Sequence, residues 1–236
     1  MRPDQARADP YDPPRQRRGM TPQMHGRYPD YDVLEQQDHW DEATRRVVLA
    51  RVHDVPEIRF FDAAELATLT AFADLVLAQD SDPYIPVMAF VDEKLFGGTL
   101  DGYRYFDMPD DPDVWRLVAR GLDEEARRRG AARFALLGLE TKLEVCHRFA
   151  NGRLHGGVWE TLNVSRAWSL VMRYLTQAFY AHPWAWNEIG FGGPAYPRGY
   201  ARFGSPHLPG AERETWEGEE AYVRDPVSDN RERGLE

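Results

Sequence analysis

The sequence predicts an all-α fold, a helical bundle of about five helices. Apolar residues recur at three-and-four spacing in several segments between residues 62 and 181, and helix-capping residues precede those segments. Long runs that alternate apolar and polar residues, as strands do, are lacking. We expect residues 1–57 to form a proline- and arginine-rich arm and lead-in, disordered at its start. Residues 58–203 are predicted to form the helical domain, and residues 204–236 a charged tail.

The first two helices are predicted from a cap and a stop signal. Asp62 with Glu65 three residues later has the pattern of a capping box, and the apolar stripe that follows runs to about residue 79. A second helix is expected over residues 85–95. It should end there because Gly97 and Gly98 follow.

Three further helices complete the predicted bundle. The third opens at Asp111, with Pro112 in the first turn, and carries Trp115 on its apolar side. The fourth is expected over about residues 131–149, and the fifth over about residues 160–181. Proline disfavours helix at the residue before it, so His182 and Pro183 should end the fifth helix.

The segment from residue 184 to residue 200 has neither a helical nor a strand period. Its glycines permit close backbone approach and its prolines forbid a strand ladder, so we expect an extended, ordered segment rich in glycine and tryptophan. Large aromatics with arginine are enriched at protein interfaces, although the same aromatics also fill cores. The segment therefore either contacts a partner or closes the protein's own bundle. The candidate partner-binding residues are Trp184, Trp186, Ile189, Phe191, Tyr196, Arg198 and Tyr200.

Composition excludes several classes of protein. The 236 residues carry a net charge of -10, which argues against a general nucleic-acid binder, and no apolar run reaches the length of a membrane span. The single cysteine, Cys146, excludes internal disulfides and cysteine-based metal clusters, and it lies on an apolar stripe typical of a core. No export signal is evident in the sequence. We therefore expect a cytoplasmic protein by default, periplasmic only if exported with a signal-bearing partner.

The motif search predicts no catalytic, cofactor-binding or metal-binding residue in this chain. The histidines do not form HExxH or another tight ligand spacing, and the glycines from residue 190 to residue 193 do not form GxGxxG. Acidic runs at residues 110–111 and 123–125 are interpreted as solvated faces and caps. His182 is given a structural role at a helix end. The alternative is a stand-alone enzyme or small-molecule binder with a pocket between helices, lined by His155, Trp159, Trp168 and His182.

Two stretches resemble a known family. Residues 60–95, which open on Phe-Phe-Asp-Ala-Ala-Glu-Leu, and residues 182–196, which contain Glu-Ile-Gly-Phe-Gly-Gly-Pro-Ala-Tyr, are similar to the gluconate 2-dehydrogenase subunit 3 family. The second stretch is the more distinctive one. The chain departs from the family pattern in having no proline after the apolar run of its first helix, and in having no twin-arginine signal, which many members carry.

The resemblance implies a non-catalytic helical small subunit. Such a subunit binds, stabilises or helps to mature a large flavoprotein of the glucose–methanol–choline oxidoreductase type, in a membrane-linked or soluble sugar or alcohol dehydrogenase or oxidase. FAD and catalysis then belong to the large subunit, and electrons usually leave such complexes through a separate haem c subunit. The resemblance does not imply a substrate, because this small subunit is not expected to contact it.

Overall fold

A computed structural model of the chain describes residues 33–80, 84–189, 191 and 193–194. In these ranges all regular structure is helical, which confirms the predicted fold class, with more helices than the expected five. The α-helices are α1 (Glu42–His53), α2 (Ala63–Val76), α3 (Val87–Phe96), α4 (Asp111–Arg128), α5 (Leu139–Ala150), α6 (Val164–Tyr180) and α7 (Pro183–Ile189). Three 3₁₀ segments lie at Val33–His39, Phe134–Leu136 and Gly157–Thr161. The described residues divide into unit 1 (55–179) and unit 2 (33–54 with 180–194).

Aromatic rings form the centre of unit 1. Phe72 of α2 is fully buried, with its ring centroid 6.3 Å from Phe134, 5.9 Å from Phe149 and 6.0 Å from Trp168. Trp159 lies against Phe149 at 5.0 Å. Tilted and edge-to-face pairs of this kind add about 0.5–1.5 kcal/mol each to the free energy gained by burial. The rings come from α2, both 3₁₀ segments of the unit, α5 and α6, so they hold these elements together.

The capping box at the start of α2 is confirmed. The Asp62 carboxylate accepts hydrogen bonds from the backbone N–H groups of Ala64 and Glu65, at 2.7 and 2.8 Å, while the Glu65 side chain accepts from the Asp62 N–H at 3.2 Å. The helix ends at Val76, earlier than predicted, and Ala78 has a positive φ of 54°. The second predicted helix is confirmed as α3, which ends at Gly97 as expected.

The prediction for α4 is also confirmed. It begins at Asp111, with Asp110 as the N-cap residue, and its buried residues include Trp115. Trp115 packs edge-to-face on Phe61 and on Tyr174, with ring centroids 6.0 Å apart in both pairs.

The boundaries predicted for the fourth and fifth helices are wrong at their starts. Leu137 and Gly138 are extended, at ψ 150° and 157°, so a 3₁₀ turn precedes α5 and the two do not form one helix. Leu139, the first residue of α5, is 55% exposed. α6 begins at residue 164 because Asn163 caps it, its side-chain oxygen accepting from the Arg166 N–H at 3.2 Å.

The acidic runs predicted to be solvated are partly buried, and that interpretation is corrected. Asp111 and Glu125 are 5% and 2% exposed. Glu125 is satisfied by the guanidinium groups of Arg128 and Arg129. Its neighbour Asp123 accepts from the Thr68 hydroxyl at 2.7 Å, and from the backbone N–H of Phe134 at 3.0 Å. Asp123 therefore fastens α4 to α2 and to the 3₁₀ segment at Phe134–Leu136.

Unit 2 contains two helices that the sequence pattern did not predict. In α1 the Asp41 side chain accepts from the Thr44 N–H at 2.8 Å, which caps the helix, but only Val48 is buried. Because only one of the twelve residues of α1 is buried, its sequence has no apolar stripe from which the helix could be predicted. α7 is the second of these helices, and it falls in the segment expected to be extended. The helical state of residues 183–189 therefore corrects that expectation.

We predict that Gly121→Val destabilises the protein by about 1–3 kcal/mol, the usual range for overpacking a core. A Cβ atom at Gly121 of α4 would lie 2.6 Å from the buried Trp159 ring. Chemical denaturation, followed by circular dichroism, measures the loss. The matched control is Arg120→Val on the exposed side of the same helix, which should cost about 0.5 kcal/mol from helix propensity alone. Equal effects of the two substitutions would contradict the packing assigned to Trp159.

Candidate partner-binding site

The first candidate residues lie on α7, whose start is set by a histidine. His182 is the N-cap residue: its Nδ1 accepts from the backbone N–H of Trp184 at 3.2 Å, and its carbonyl accepts from the Ala185 N–H at 3.1 Å. Pro183 occupies the first helical position, where its missing N–H costs nothing. The His-Pro pair therefore ends one helix, as predicted, and also begins the next.

Trp186 is buried within unit 2. It is 7% exposed and belongs to a core cluster with Val33, Trp40 and Val48. Its indole N–H donates to the Tyr180 carbonyl at 2.6 Å. The sequence left open whether this segment contacts a partner or packs into the protein's own core. The Trp186 side chain packs into the core.

Trp184 and Phe191 lie nearer the surface. Trp184 is half-buried with its ring centroid 4.8 Å from His182, and Phe191 is 44% exposed, edge-on to Trp186 at 5.5 Å. Phe191 is thus a candidate anchor with a free face. Ile189 is the last residue of α7. Tyr196, Arg198 and Tyr200 lie outside the described residues.

Two close contacts hold the chain around α7. The buried Asn187 side chain accepts from the Val33 N–H at 2.8 Å, which joins α7 to the 3₁₀ segment of unit 2. Gly193 has a φ of 87°, and a Cβ atom there would lie 2.7 Å from the Val33 side chain. Only glycine fits this conformation and this approach without strain. Gly193 therefore allows the chain after α7 to pass close to Val33.

Burial keeps His182 neutral. It is 1% exposed, and burial lowers its pKa to about 4. Arg51 donates to the Ala181 carbonyl at 2.7 Å. A neutral imidazole is required at this position, because a protonated Nδ1 could not accept the Trp184 N–H.

The residues proposed for an alternative ligand pocket do not share one role. Trp159 is 2% exposed and fills the core of unit 1, and Trp168 is half-buried against Phe72 and Phe149. His155 is exposed, and its carbonyl accepts from Arg128 at 3.3 Å. His182 belongs to unit 2. None of these positions favours the pocket hypothesis.

Cys146 lies in the core, as predicted. It is 6% exposed, and burial raises the pKa of its thiol to about 12. Within the described ranges, no three His, Cys, Asp or Glu side chains are placed to hold a metal ion. None of the helices in those ranges combines the length and the apolar character needed to cross a bilayer.

Sequence reasoning missed an aromatic surface on unit 1. We call it the aromatic loop surface; it consists of Phe96, Leu100, Tyr103, Tyr105 and Phe106, at the end of α3 and in the loop before α4. Phe106 is 94% exposed, Tyr103 57% and Phe96 52%. The detectable signal was the run Tyr-Arg-Tyr-Phe at residues 103–106, in a segment that has no helical period.

Arginines of α6 hold this loop. The guanidinium of Arg166 lies 4.3 Å from the Tyr105 ring centroid and is paired with Asp107. Arg173 lies 4.9 Å from the Tyr103 ring centroid and donates to its hydroxyl. The loop conformation is therefore fixed by a regular helix.

A network of charges continues beneath the loop. Asp101 accepts a hydrogen bond from Lys94 at 2.6 Å and forms an ion pair with Arg173, whose Nε lies 2.9 Å from a carboxylate oxygen. These two cations lower the pKa of Asp101. Asp111 accepts from the Tyr174 hydroxyl at 2.6 Å. That hydrogen bond adds to the effect of burial, which is the main cause of the raised pKa of Tyr174.

Between the loop and α6 lies a cavity of about 220 Å³. Its lining includes Tyr103, Tyr105, Met108, Leu170 and Arg173. Two further depressions are both lined by Phe90 and Lys94 of α3. One lies between α3 and α6, and the other lies beside α3, where Arg59 and Gly97 also line it. Unit 1 thus has an uneven aromatic face into which side chains of another molecule could insert.

Comparison with known proteins gives one match. The family model described as gluconate 2-dehydrogenase subunit 3 matches residues 63–193, a range that begins with α2 and ends just past α7. No curated protein and no solved structure matches the chain significantly.

The capping role of His182 predicts a pH dependence. The pKa of this histidine is lower in the folded protein, about 4, than in the unfolded chain, about 6.5, so its contribution to stability is complete above pH 6.5 and is lost as the pH falls towards 4. Between pH 7 and pH 5 the loss should be about 2 kcal/mol. Denaturation of the wild type and of His182→Asn at both pH values measures it. Asparagine can also cap a helix but does not titrate, so an identical pH dependence in the two proteins would contradict the assignment.

Burial of Cys146 predicts an unreactive thiol. At pH 8 a thiol with a pKa of about 12 is almost entirely protonated, and the thiolate is the reactive form. We expect a chromogenic disulfide reagent to react at least about a hundredfold more slowly with the folded protein than with the chain in denaturant. Rapid, stoichiometric labelling of the folded protein would contradict this placement.

Proposed function

The chain belongs to the gluconate 2-dehydrogenase subunit 3 family, and on that premise we propose that it is a non-catalytic small subunit that binds the FAD-containing large subunit of a gluconate-type dehydrogenase. The observation that carries the proposal is the family match, which spans α2 to α7. We propose further that the large subunit is a flavoprotein of the glucose–methanol–choline type, and that a haem c subunit accepts its electrons. In this arrangement the flavin and the chemistry belong to the partner.

The chemistry of the described side chains supports a binding role. Cys146 is buried with a raised pKa, and His182 is neutral and caps a helix. The buried Glu125 is neutralised by arginines. These groups, which in other settings act as nucleophile, base or acid, here hold the chain together.

The proposed physical mechanism is stabilisation by mass action. A subunit that binds only the folded large subunit lowers the free energy of that state, by about 2.7 kcal/mol when its concentration is a hundred times the Kd. If the folded state is also the one that retains FAD, binding raises the fraction of large subunit that carries its flavin. A stabilising or maturing role follows without any catalytic step in this chain.

Co-expression of the chain with a large subunit of this type tests the proposal. We expect the two to co-purify and the ratio of flavin absorbance to protein in the large subunit to rise above that of the large subunit expressed alone. A large subunit that folds and binds its full complement of FAD alone, and does not co-purify with the chain, would overturn it.

Phe191→Ala tests one candidate anchor within this experiment. We expect it to weaken binding of the large subunit by roughly tenfold, the effect of removing a moderate aromatic hot spot. The control is Val47→Ala, which removes an apolar side chain of similar exposure from α1 of the same unit, where Val47 is 50% exposed and Phe191 44%. Equal binding by both variants would show that Phe191 is not an anchor. Near-ultraviolet circular dichroism checks that the adjacent Trp186 keeps its environment.

A further inference from the structure

Three exposed rings of the aromatic loop surface lie together. Tyr103 and Tyr105 are edge-to-face with centroids 6.4 Å apart, and the Arg166 guanidinium lies 4.3 Å from the Tyr105 ring centroid and 6.0 Å from that of Phe106. Five large apolar side chains from one short segment are each at least 38% exposed. Scattered exposed apolar residues are normal on a monomer, whereas a contiguous group usually marks a place where another molecule binds. Tyrosine and phenylalanine with arginine is also the composition enriched at the centre of protein interfaces.

The surface is organised before any partner arrives. Tyr103 and Tyr105 are each held against an α6 arginine, and those arginines are themselves held by Asp101 and Asp107. Side chains that are already fixed lose little conformational entropy on binding. Exposed rings that are held in place in this way are typical of a binding surface. They would not be expected in a loop that binds nothing.

The charges around the loop rings are balanced within the chain. Four cations near Tyr103, Tyr105 and Phe106 are each paired with an aspartate: Lys94 and Arg173 with Asp101, Arg104 with Asp110, and Arg166 with Asp107. A fifth cation, Arg59, lies 4.3 Å from the Phe96 ring centroid, at the α3 end of the surface. A partner can therefore cover the three loop rings without leaving those four cations buried and unpaired, which is the usual cost of desolvating ions. This favours a partner face that is apolar and weakly charged. It disfavours nucleic acid, whose phosphates require free cations.

A second copy of this chain is the less favoured occupant. Each copy carries a net charge of -10, so two copies repel one another at long range. The cavity of about 220 Å³ between the loop and α6 can receive an apolar side chain from a different protein. We propose that the aromatic loop surface is a docking surface for the large flavoprotein subunit, in addition to the candidate anchors near α7. This inference rests on the proposed function.

The test compares two exposed apolar residues of unit 1. Phe106→Ser removes the most exposed ring of the surface, and Leu136→Ser removes a 69% exposed side chain from the 3₁₀ segment at Phe134–Leu136. Full-length wild type and both variants are titrated with a purified FAD-containing large subunit of the glucose–methanol–choline type. We expect Phe106→Ser to raise the Kd about thirtyfold, the effect of a hot-spot residue, and Leu136→Ser to leave it within about twofold.

The possible outcomes distinguish failure of the docking surface from failure of the proposed function. Binding by the wild type with no change in Phe106→Ser would overturn the docking surface and leave the proposed function standing. No binding by the wild type would overturn the proposed function, and the docking surface with it. A dimer of the chain alone in analytical ultracentrifugation that Phe106→Ser dissociates would make this a self-interface instead.

A second measurement needs no substitution. Hydroxyl-radical labelling of the free chain should oxidise Tyr103 and Tyr105, which are 57% and 48% exposed. In the complex with the large subunit we expect the labelling of both to fall at least about fivefold, because a buried interface core excludes water. Unchanged labelling in a saturated complex would overturn the proposal even if a substitution disturbed folding.

Discussion

Buried carboxylates are the constraint on which unit 1 depends. An ionised carboxylate in a core is costly unless hydrogen bonds or cations satisfy it. Asp92 of α3 is fully buried and accepts from the backbone N–H groups of Arg59, Phe60 and Phe61, at 2.7–3.1 Å. Glu125 meets the same requirement with arginines of its own helix. Asp92 and Asp123, in contrast, are satisfied by backbone N–H groups of other segments, so these two carboxylates determine where the irregular chain at Arg59–Phe61 and at Phe134 runs.

A part-buried carboxylate organises the aromatic loop surface. Asp101 in the loop is paired with Arg173 on α6 and with Lys94 on α3. Once Arg173 is fixed by that carboxylate, its guanidinium can lie against the Tyr103 ring. The ion pairs themselves contribute modestly to stability, since they are partly solvated. Their larger consequence is that exposed rings are held in one arrangement.

In unit 2 one core serves both termini of the described chain. Trp186 of α7 packs with Val33, Trp40 and Val48 from the other end of the sequence, and Asn187 hydrogen-bonds to the Val33 backbone. Trp186 therefore contributes to the fold, while Phe191 beside it keeps an exposed face. Of the two roles expected for this segment, Trp186 has the core role, and Phe191 remains a proposed partner contact.

Local chemistry in the sequence was enough to determine the all-α fold class, the capping box at Asp62, the stop at Gly97 and the break at His182, because caps and breakers act within a few residues. The family resemblance was equally readable, since it lies in a distinctive stretch. Tertiary structure alone decided that Asp111 is buried, that α1 is a helix although only one of its residues is buried, and that the Tyr103 ring lies against Arg173, seventy residues later in the chain. Those outcomes depend on contacts between distant segments, and periodicity carries no information about them.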